Sequence, residues 1–240
     1  MKSSLGALLG PMILSTFLYL PTSRGEVGEQ VILLHGYGRS ASAMRPMAQR
    51  FINQGYTVHT LSYGSLTKSI DEIEAEITQE IDEILQKNTF KTHFVGHSLG
   101  GLMVRAYLGK RALKYLGRVV ILGSPNQGTP AVDYFKKRWW FGLIGSAANS
   151  LRTGSKFLSK LPKPDYPLGV IAGVFGRSFV KGAVFSGRHD GLIPLESTRV
   201  EGMRDFCVVS ANHTALRYNR DVFTHIIHFL RHGHFECPEL

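Results

Sequence analysis

The sequence has few cysteines, too few to define a disulfide framework. Cys207 and Cys237 are the two among 240 residues. Cys207 lies in the apolar run Phe206-Cys207-Val208-Val209, where we expect a buried free thiol, whereas Cys237 lies in a polar tail. A bridge between them is the alternative, and sequence spacing alone does not decide it.

Internal repeats and low-complexity tracts are also missing, and the length suits one domain with one sizeable core. Hydrophobic residues make up 43% of the chain, and glycine is frequent at 26 residues. Strand-like and helix-like segments alternate throughout. This composition is typical of an α/β protein with many tight turns.

Acidic residues are scarce, with 18 Asp and Glu against 28 Lys and Arg. A basic chain raises the possibility of a nucleic-acid or anionic-membrane partner. The basic residues are scattered, however, and no nucleic-acid-binding motif accompanies them. We therefore expect no nucleic-acid partner and regard a membrane or micelle surface as the better candidate.

The first 25 residues differ in kind from the rest. Lys2 precedes an apolar stretch at 5–20 that is short for a membrane span and contains Pro11, and small polar residues follow. This order is typical of an export signal, so we expect a periplasmic or secreted protein. An uncleaved membrane anchor and an ordinary N-terminal extension are the alternatives. The remainder, 26–240, forms the single predicted domain.

The hydrophobic pattern of 26–240 alternates between strands and helices. Apolar runs predict strands at 30–35, 56–63, 91–96, 118–123, 168–172 and 206–209, and helical spacing predicts helices at 40–53, 69–84, 100–108 and 221–230. We expect a doubly wound, mostly parallel sheet with helices on both faces. In such a fold the functional site lies at the carboxyl ends of the strands.

The alternation breaks down at 131–167, which we interpret as a short cap or lid insertion. It contains a basic and aromatic run that consists of Lys136, Lys137, Arg138, Trp139 and Trp140. A lid that adsorbs to lipid is one interpretation of this run, and a cap with inward-packed aromatics is the other.

The strongest motif is Gly96-His97-Ser98-Leu99-Gly100-Gly101, which lies between a predicted strand and a predicted helix. A nucleophilic serine needs a sharp turn to stand clear of the backbone, and the glycines allow strand and helix to approach each other. The motif therefore predicts Ser98 as a nucleophile. His97 is expected to point away from the face that the serine presents.

A serine hydroxyl needs a histidine that takes its proton. His213 follows the last predicted strand directly, and Asp190 lies in a glycine-flanked loop 23 residues earlier. The order Ser98, Asp190, His213 is the order of nucleophile, acid and base in this type of fold. Glu196 is the alternative acid. His225, His228, His232 and His234 near the C-terminus are expected to be solvated.

The oxyanion of an acyl-transfer intermediate needs backbone N–H donors. Leu99 follows the nucleophile at a helix N-terminus and is one predicted donor. Tyr37, in the turn after the first strand, is the other. We expect His35 in the same turn to bond to loop backbone rather than to transfer protons.

Together, the motif at 96–101 and the segments 31–36, 123–129, 190–191 and 212–213 resemble the bacterial lipase and esterase branch of the α/β-hydrolase superfamily. They are similar to compact lipases and to inositol-deacylase-type hydrolases over about residues 29–232. The resemblance implies a Ser-His-Asp triad at the positions above and no metal or organic cofactor. The expected activity is carboxylic ester hydrolysis, with lipid or acyl-chain esters as substrates. A thioesterase or acyltransferase with the same triad, and a non-catalytic lipid-binding module, are the alternatives.

Overall fold

A computed structural model of the protein describes residues 28–87, 89–136, 146–175, 185 and 187–237. Six strands form one sheet in the order β2-β1-β3-β4-β5-β6, and each adjacent pair is parallel. The strands are β1 (Glu29–Leu34), β2 (Thr57–Leu61), β3 (Lys91–His97), β4 (Leu116–Leu122), β5 (Leu168–Gly173) and β6 (Asp205–Val209). The predicted doubly wound α/β fold is confirmed.

The helices connect these strands across both faces of the sheet. They are α1 (Arg45–Asn53), α2 (Ile70–Gln86), α3 (Leu99–Leu108), α4 (Pro130–Lys136), α5 (Lys156–Lys160) and α6 (Arg220–His232). Short 3₁₀ turns lie at Ala41–Met44, Ser146–Leu151, Glu196–Thr198 and Ala215–Arg217. The predicted helix at 40–53 is therefore divided into a 3₁₀ turn and α1, and Pro46 lies in the first turn of α1, where its missing N–H needs no partner.

Strand β1 shows why the sheet must be covered on both faces. All six of its residues are buried. Ile32 and Leu34 pack in one core with α2 and α3, whereas Val31 and Leu33 pack in a second core with α1 and α6. Since successive side chains of a strand point to opposite faces, a continuous apolar run buries both.

Helix α2 forms where local signals agree. Ile73, Ile77 and Ile81 are buried at helical spacing, and Ser69 caps the N-terminus in a capping box with Glu72. The helix covers β1 and β3 in the first core. On its outer face, Glu72 and Glu83 accept hydrogen bonds at the exposed surface.

The expectation of a free thiol at Cys207 is wrong. Cys207 on β6 forms a disulfide with Cys237, and the two Cα atoms lie 5.7 Å apart. Helix α6 brings this about, because it ends at Gly233 in the left-handed conformation and returns the chain toward the sheet. Only the tertiary path of 220–237 brings the two cysteines together.

Two sequence predictions fall outside the described residues. They are the leader at 1–25 and most of the basic and aromatic run, namely Lys137, Arg138, Trp139 and Trp140. Lys136 is described and is exposed at the end of α4. Across the described ranges, no helix combines the length and hydropathy that a bilayer crossing requires.

Candidate active site

Ser98 occupies the sharp turn between β3 and α3. Its φ of 56° makes it the one non-glycine residue with positive φ among the described residues. Neighbouring glycines allow this turn, because a Cβ on Gly96 would lie 2.5 Å from the backbone of Gly101. A Cβ on Gly100 would lie 2.4 Å from the carbonyl oxygen of Leu34. The strained turn holds Ser98 at the carboxyl end of the central strands.

Asp190 and His213 form a buried pair beside this turn. The His213 Nδ1 and Asp190 Oδ2 atoms lie 2.7 Å apart, and both side chains are almost completely buried. The backbone N–H groups of Leu192 and Ile193 donate to Asp190 Oδ1. The backbone thus binds one carboxylate oxygen, Oδ1, and the other, Oδ2, accepts from the imidazole. With Nδ1–H donated to the acid, His213 presents Nε2 as a proton acceptor.

Ser98 and His213 line the same cavity, which has a volume of about 170 Å³. Apolar residues from α4, the 3₁₀ turn at 146–151 and the loop after Asp190 contribute much of its wall. These residues are Ala131, Val132, Phe135, Leu151, Leu192 and Ile193. A larger cavity of about 620 Å³ between α2, α3 and α5 contains none of the predicted site residues. Size alone therefore does not identify the site.

The turn after β1 passes directly over the serine. A Cβ on Gly36 would lie 3.0 Å from the Cβ of Ser98, so Gly36 permits the close approach. Tyr37 follows in this turn and lines the cavity. Leu99 is the first residue of α3, where N–H groups have no acceptor within the helix. The two predicted oxyanion donors thus lie on the two segments that flank Ser98.

His35, at the start of this turn, contacts the backbone of Gly36 and Tyr63. It is fully buried, its Nδ1 lies 2.8 Å from the carbonyl oxygen of Gly36, and its Nε2 accepts from the N–H of Tyr63. The ring also stacks on Tyr63 with a centroid distance of 4.0 Å. Burial lowers the pKa of His35, which keeps the ring neutral. The predicted backbone contacts of His35 are present.

The expectation that His97 points away from the face of Ser98 is wrong, because His97 lines the same cavity. Its buried Nε2 lies 2.8 Å from the backbone oxygen of His213, and the two rings are 4.8 Å apart. Burial, followed by the charge of His213, holds the pKa of His97 well below its usual value. A neutral ring that donates from Nε2 therefore ties the nucleophile turn to the histidine loop. Sequence spacing carried no signal for this contact.

Gly123 is a further residue that sequence reasoning missed. It directly follows β4 with a φ of 55°, and a Cβ there would lie 3.0 Å from Asp190 Oδ2 and 3.2 Å from His213 Nδ1. Asp190 and His213 thus pack against the backbone of Gly123, where no side chain intervenes. A glycine directly after a buried strand was the available signal. Thr129 Oγ1 also donates to the carbonyl oxygen of Leu192, which anchors the acid loop.

The alternative acid, Glu196, lies elsewhere. It is exposed and pairs with Arg199. The C-terminal histidines follow α6 and its tail, where His228 contacts the carbonyl oxygen of His234. Among the described residues, the three-residue group that could hold a metal is Cys207, His225 and Cys237, and its cysteines form the disulfide.

A parallel sheet wound on both faces, with a strained serine turn and a buried acid–histidine pair at the strands' carboxyl ends, defines an α/β-hydrolase. The chain belongs to the palmitoyl protein thioesterase family, whose model matches residues 30–161, more than half of the chain. Esterases, lipases and thioesterases are hydrolases of this type. Family membership supports the prediction of a carboxylic ester hydrolase.

The curated relatives match part of the chain. A pimeloyl-[acyl-carrier protein] methyl ester esterase from Aliivibrio salmonicida is 30% identical over 90 residues, which cover 38% of this chain and 33% of that protein. The same-named protein from Aliivibrio fischeri is 29% identical over 90 residues. The chain spans about a third of the length of these relatives.

Solved structures share the fold over most of the chain. The mature lipase BlEst2 from Bacillus licheniformis has a TM-score of 0.69 and 21% identity, and the match covers 86% of this chain and 94% of that one. The esterase EaEST from Exiguobacterium antarcticum has a TM-score of 0.60 and 15% identity, with 88% and 93% covered. At these identities the similarity shows the fold.

Proposed function

We propose that the protein hydrolyses carboxylic esters of acyl-chain or lipid substrates through an acyl-enzyme on Ser98. The observation that carries this proposal is the 2.7 Å contact between Asp190 and His213 beside a cavity that Ser98 also lines. Asp190 fixes the imidazole so that Nε2 is free to accept a proton. The apolar part of the cavity wall suits an acyl chain.

In the first half of the reaction, Ser98 Oγ attacks the ester carbonyl carbon and gives its proton to His213 Nε2. The resulting oxyanion accepts hydrogen bonds from the backbone N–H groups of Tyr37 and Leu99. As the tetrahedral intermediate collapses, the bond to the alcohol breaks and His213 returns the proton to the leaving oxygen. The acyl group stays on Ser98.

In the second half, a water molecule gives a proton to His213 and attacks the acyl carbonyl carbon. Collapse of the second intermediate breaks the bond to Ser98 Oγ, which takes the proton back. The products are a carboxylic acid and the free serine. This sequence needs no group beyond the residues named.

A fluorophosphonate probe tests this proposal, because it phosphonylates a serine that a histidine activates. We expect the wild-type protein to be labelled at Ser98, and Ser98→Ala and His213→Ala to be unlabelled while still folded. An unlabelled wild-type protein with intact circular dichroism would favour the lipid-binding module and reject the enzyme.

The match to the palmitoyl protein thioesterase family makes thioester hydrolysis the second candidate. Both reactions use the same triad, so the structure of the triad does not separate them. Matched oxygen esters and thioesters with the same acyl chain distinguish the two by their kcat/KM values. Transfer to an added alcohol in place of water would identify the acyltransferase alternative.

Export and membrane-surface contact form part of the same proposal. The Cys207–Cys237 disulfide supports an oxidising compartment, which agrees with an export signal at 1–25. The exposed Lys136 supports contact of the run 136–140 with anionic lipid. Replacing the basic residues of this run should weaken hydrolysis of aggregated esters more than of monomeric ones.

A further inference from the structure

Two arginines line the cavity that Ser98 and His213 share. Arg39 follows the turn that carries Tyr37, and Arg217 lies in the 3₁₀ turn four residues after His213. The other lining residues are apolar, hydroxyl-bearing, glycine or histidine, and no carboxylate is among the residues described as lining this cavity. The buried Asp190 does not line the cavity, and its carboxylate is bonded to His213, Leu192 and Ile193, which do. The cavity therefore combines an apolar wall with two positive charges.

Among the described residues, no acidic side chain neutralises the two arginines. Neither has a carboxylate partner within the part of the chain that the structure describes. The internal segments 137–145 and 176–184 contain no Asp or Glu in sequence. By contrast, Arg111, Arg152 and Arg199 each pair with a carboxylate at 2.9–3.0 Å. Positive charge at the cavity is thus left available.

Two neighbouring residues hold Arg217 in place. One guanidinium nitrogen donates to the carbonyl oxygen of Ala43 at 2.9 Å, and the group lies 5.6 Å from the ring of Tyr218. Partial burial and then the nearby charge of Arg39 lower the pKa of Arg217. Like charges repel each other, and an anion bound in the cavity would relieve the repulsion between these two arginines.

Guanidinium groups recognise phosphate and carboxylate through paired hydrogen bonds. We propose that Arg39 and Arg217 make the site selective for esters that carry a phosphate or carboxylate close to the scissile bond, together with an apolar acyl chain. The arginines, Ser98 and the apolar residues line one cavity of about 170 Å³. An ester bound at Ser98 would therefore lie near both guanidinium groups. This inference rests on the proposed function and narrows its substrate class.

The test compares substrates that differ in charge. A comparison of lysophosphatidylglycerol with monoacylglycerol, both below their micelle concentrations, tests whether the site prefers a lipid phosphate. A comparison of monomethyl adipate with methyl hexanoate tests whether it prefers a soluble carboxylate. We expect the wild-type protein to favour the anionic member of at least one pair about tenfold or more in kcat/KM, and the pair that shows it identifies the source of the anion.

Variants assign this preference to the arginines. Arg39→Gln together with Arg217→Gln should reduce the anionic-to-neutral ratio about tenfold, and Arg39→Lys with Arg217→Lys should retain part of it. Arg45→Gln is the matched control, because Arg45 is exposed, lies near Arg39 in sequence and does not line the cavity. An equal loss of the ratio in Arg45→Gln would assign selectivity to general surface charge and overturn the inference.

Competition against fluorophosphonate labelling provides a measurement that does not need turnover. Dodecyl phosphate should slow labelling of Ser98 more than dodecanol does, and the double Gln variant should lose this difference. Equal protection by both compounds, with labelling intact and no anionic preference in turnover, would reject the selectivity and leave the proposed hydrolase standing. Absent labelling of the wild-type protein would instead reject the hydrolase itself.

Discussion

His97 Nε2 lies 2.8 Å from the backbone oxygen of His213, across a sequence separation of 116 residues. The residue before the nucleophile thereby positions the loop that carries the proposed base. We expect His97→Ala to lower kcat about 10- to 100-fold with a small change in KM, because the loop would lose its anchor. His97→Gln should partly restore kcat, since its amide nitrogen can donate to the same oxygen.

Steady-state kinetics on both variants, with urea unfolding alongside, checks this prediction. A kcat that falls only in proportion to lost folded protein would show that His97 has a packing role alone.

Asp190→Asn removes the charge and leaves the shape of the acid loop. Because an amide NH₂ donates where the carboxylate accepted, the His213 ring would adopt the wrong tautomer for accepting a proton. We expect kcat to fall about 10³- to 10⁴-fold with native circular dichroism. Glu196→Gln is the matched control, since Glu196 is exposed and pairs with Arg199. Comparable losses in both variants would remove Asp190 from its proposed role.

Ser98→Gly should stabilise the fold while it abolishes labelling by a fluorophosphonate. The φ of 56° and ψ of −120° at Ser98 strain a residue that has a Cβ, and glycine removes this strain. The greater freedom of glycine in the unfolded chain offsets part of the gain, so we expect about 1 kcal/mol in the free energy of unfolding. Ser98→Ala keeps its Cβ and should show no such gain in urea titrations.

Cys237→Ser should lower the free energy of unfolding by about 2–4 kcal/mol, because the disulfide restricts a 30-residue loop in the unfolded chain. Urea unfolding with and without dithiothreitol measures this effect. The reductant should destabilise the wild-type protein by a similar amount and leave the variant unchanged. A variant that still responds to the reductant would contradict the assignment.

Glu29 should make folding stability depend on acid pH. Burial alone would raise its pKa, but the contacts with His93 and with Lys91, at 2.7 Å, outweigh burial and lower the pKa from 4.5 to about 2. A depressed carboxyl pKa stabilises the fold above pH 4.5, and this contribution disappears as the pH falls toward 2.

Between pH 4.5 and 2, the free energy of unfolding of Glu29→Gln should therefore decrease by about 1–2 kcal/mol less than that of the wild type. Thermal unfolding across this pH range measures the difference. Parallel acid profiles for the wild type and the variant would exclude Glu29 as the cause.

Local patterns predicted most of the fold. The six apolar runs form the six strands to within one or two residues, and α2 begins within one residue of the start that helical spacing predicted. Between β5 and β6 the pattern was less informative. The described residues 187–204 contain a loop and a 3₁₀ turn, and backbone N–H groups of this loop hold Asp190.

The sequence by itself determined the parallel sheet and the residues proposed for the triad, because strand periodicity, the glycine-flanked serine and the order of later loops are properties of short segments. The tertiary structure decided the Cys207–Cys237 bridge, the bond from His97 to His213 and the meeting of Arg39 with Arg217 at one cavity. Each of these involves residues that only the packing of α6 and the strand-end loops brings to the same region, and no local pattern encodes that packing.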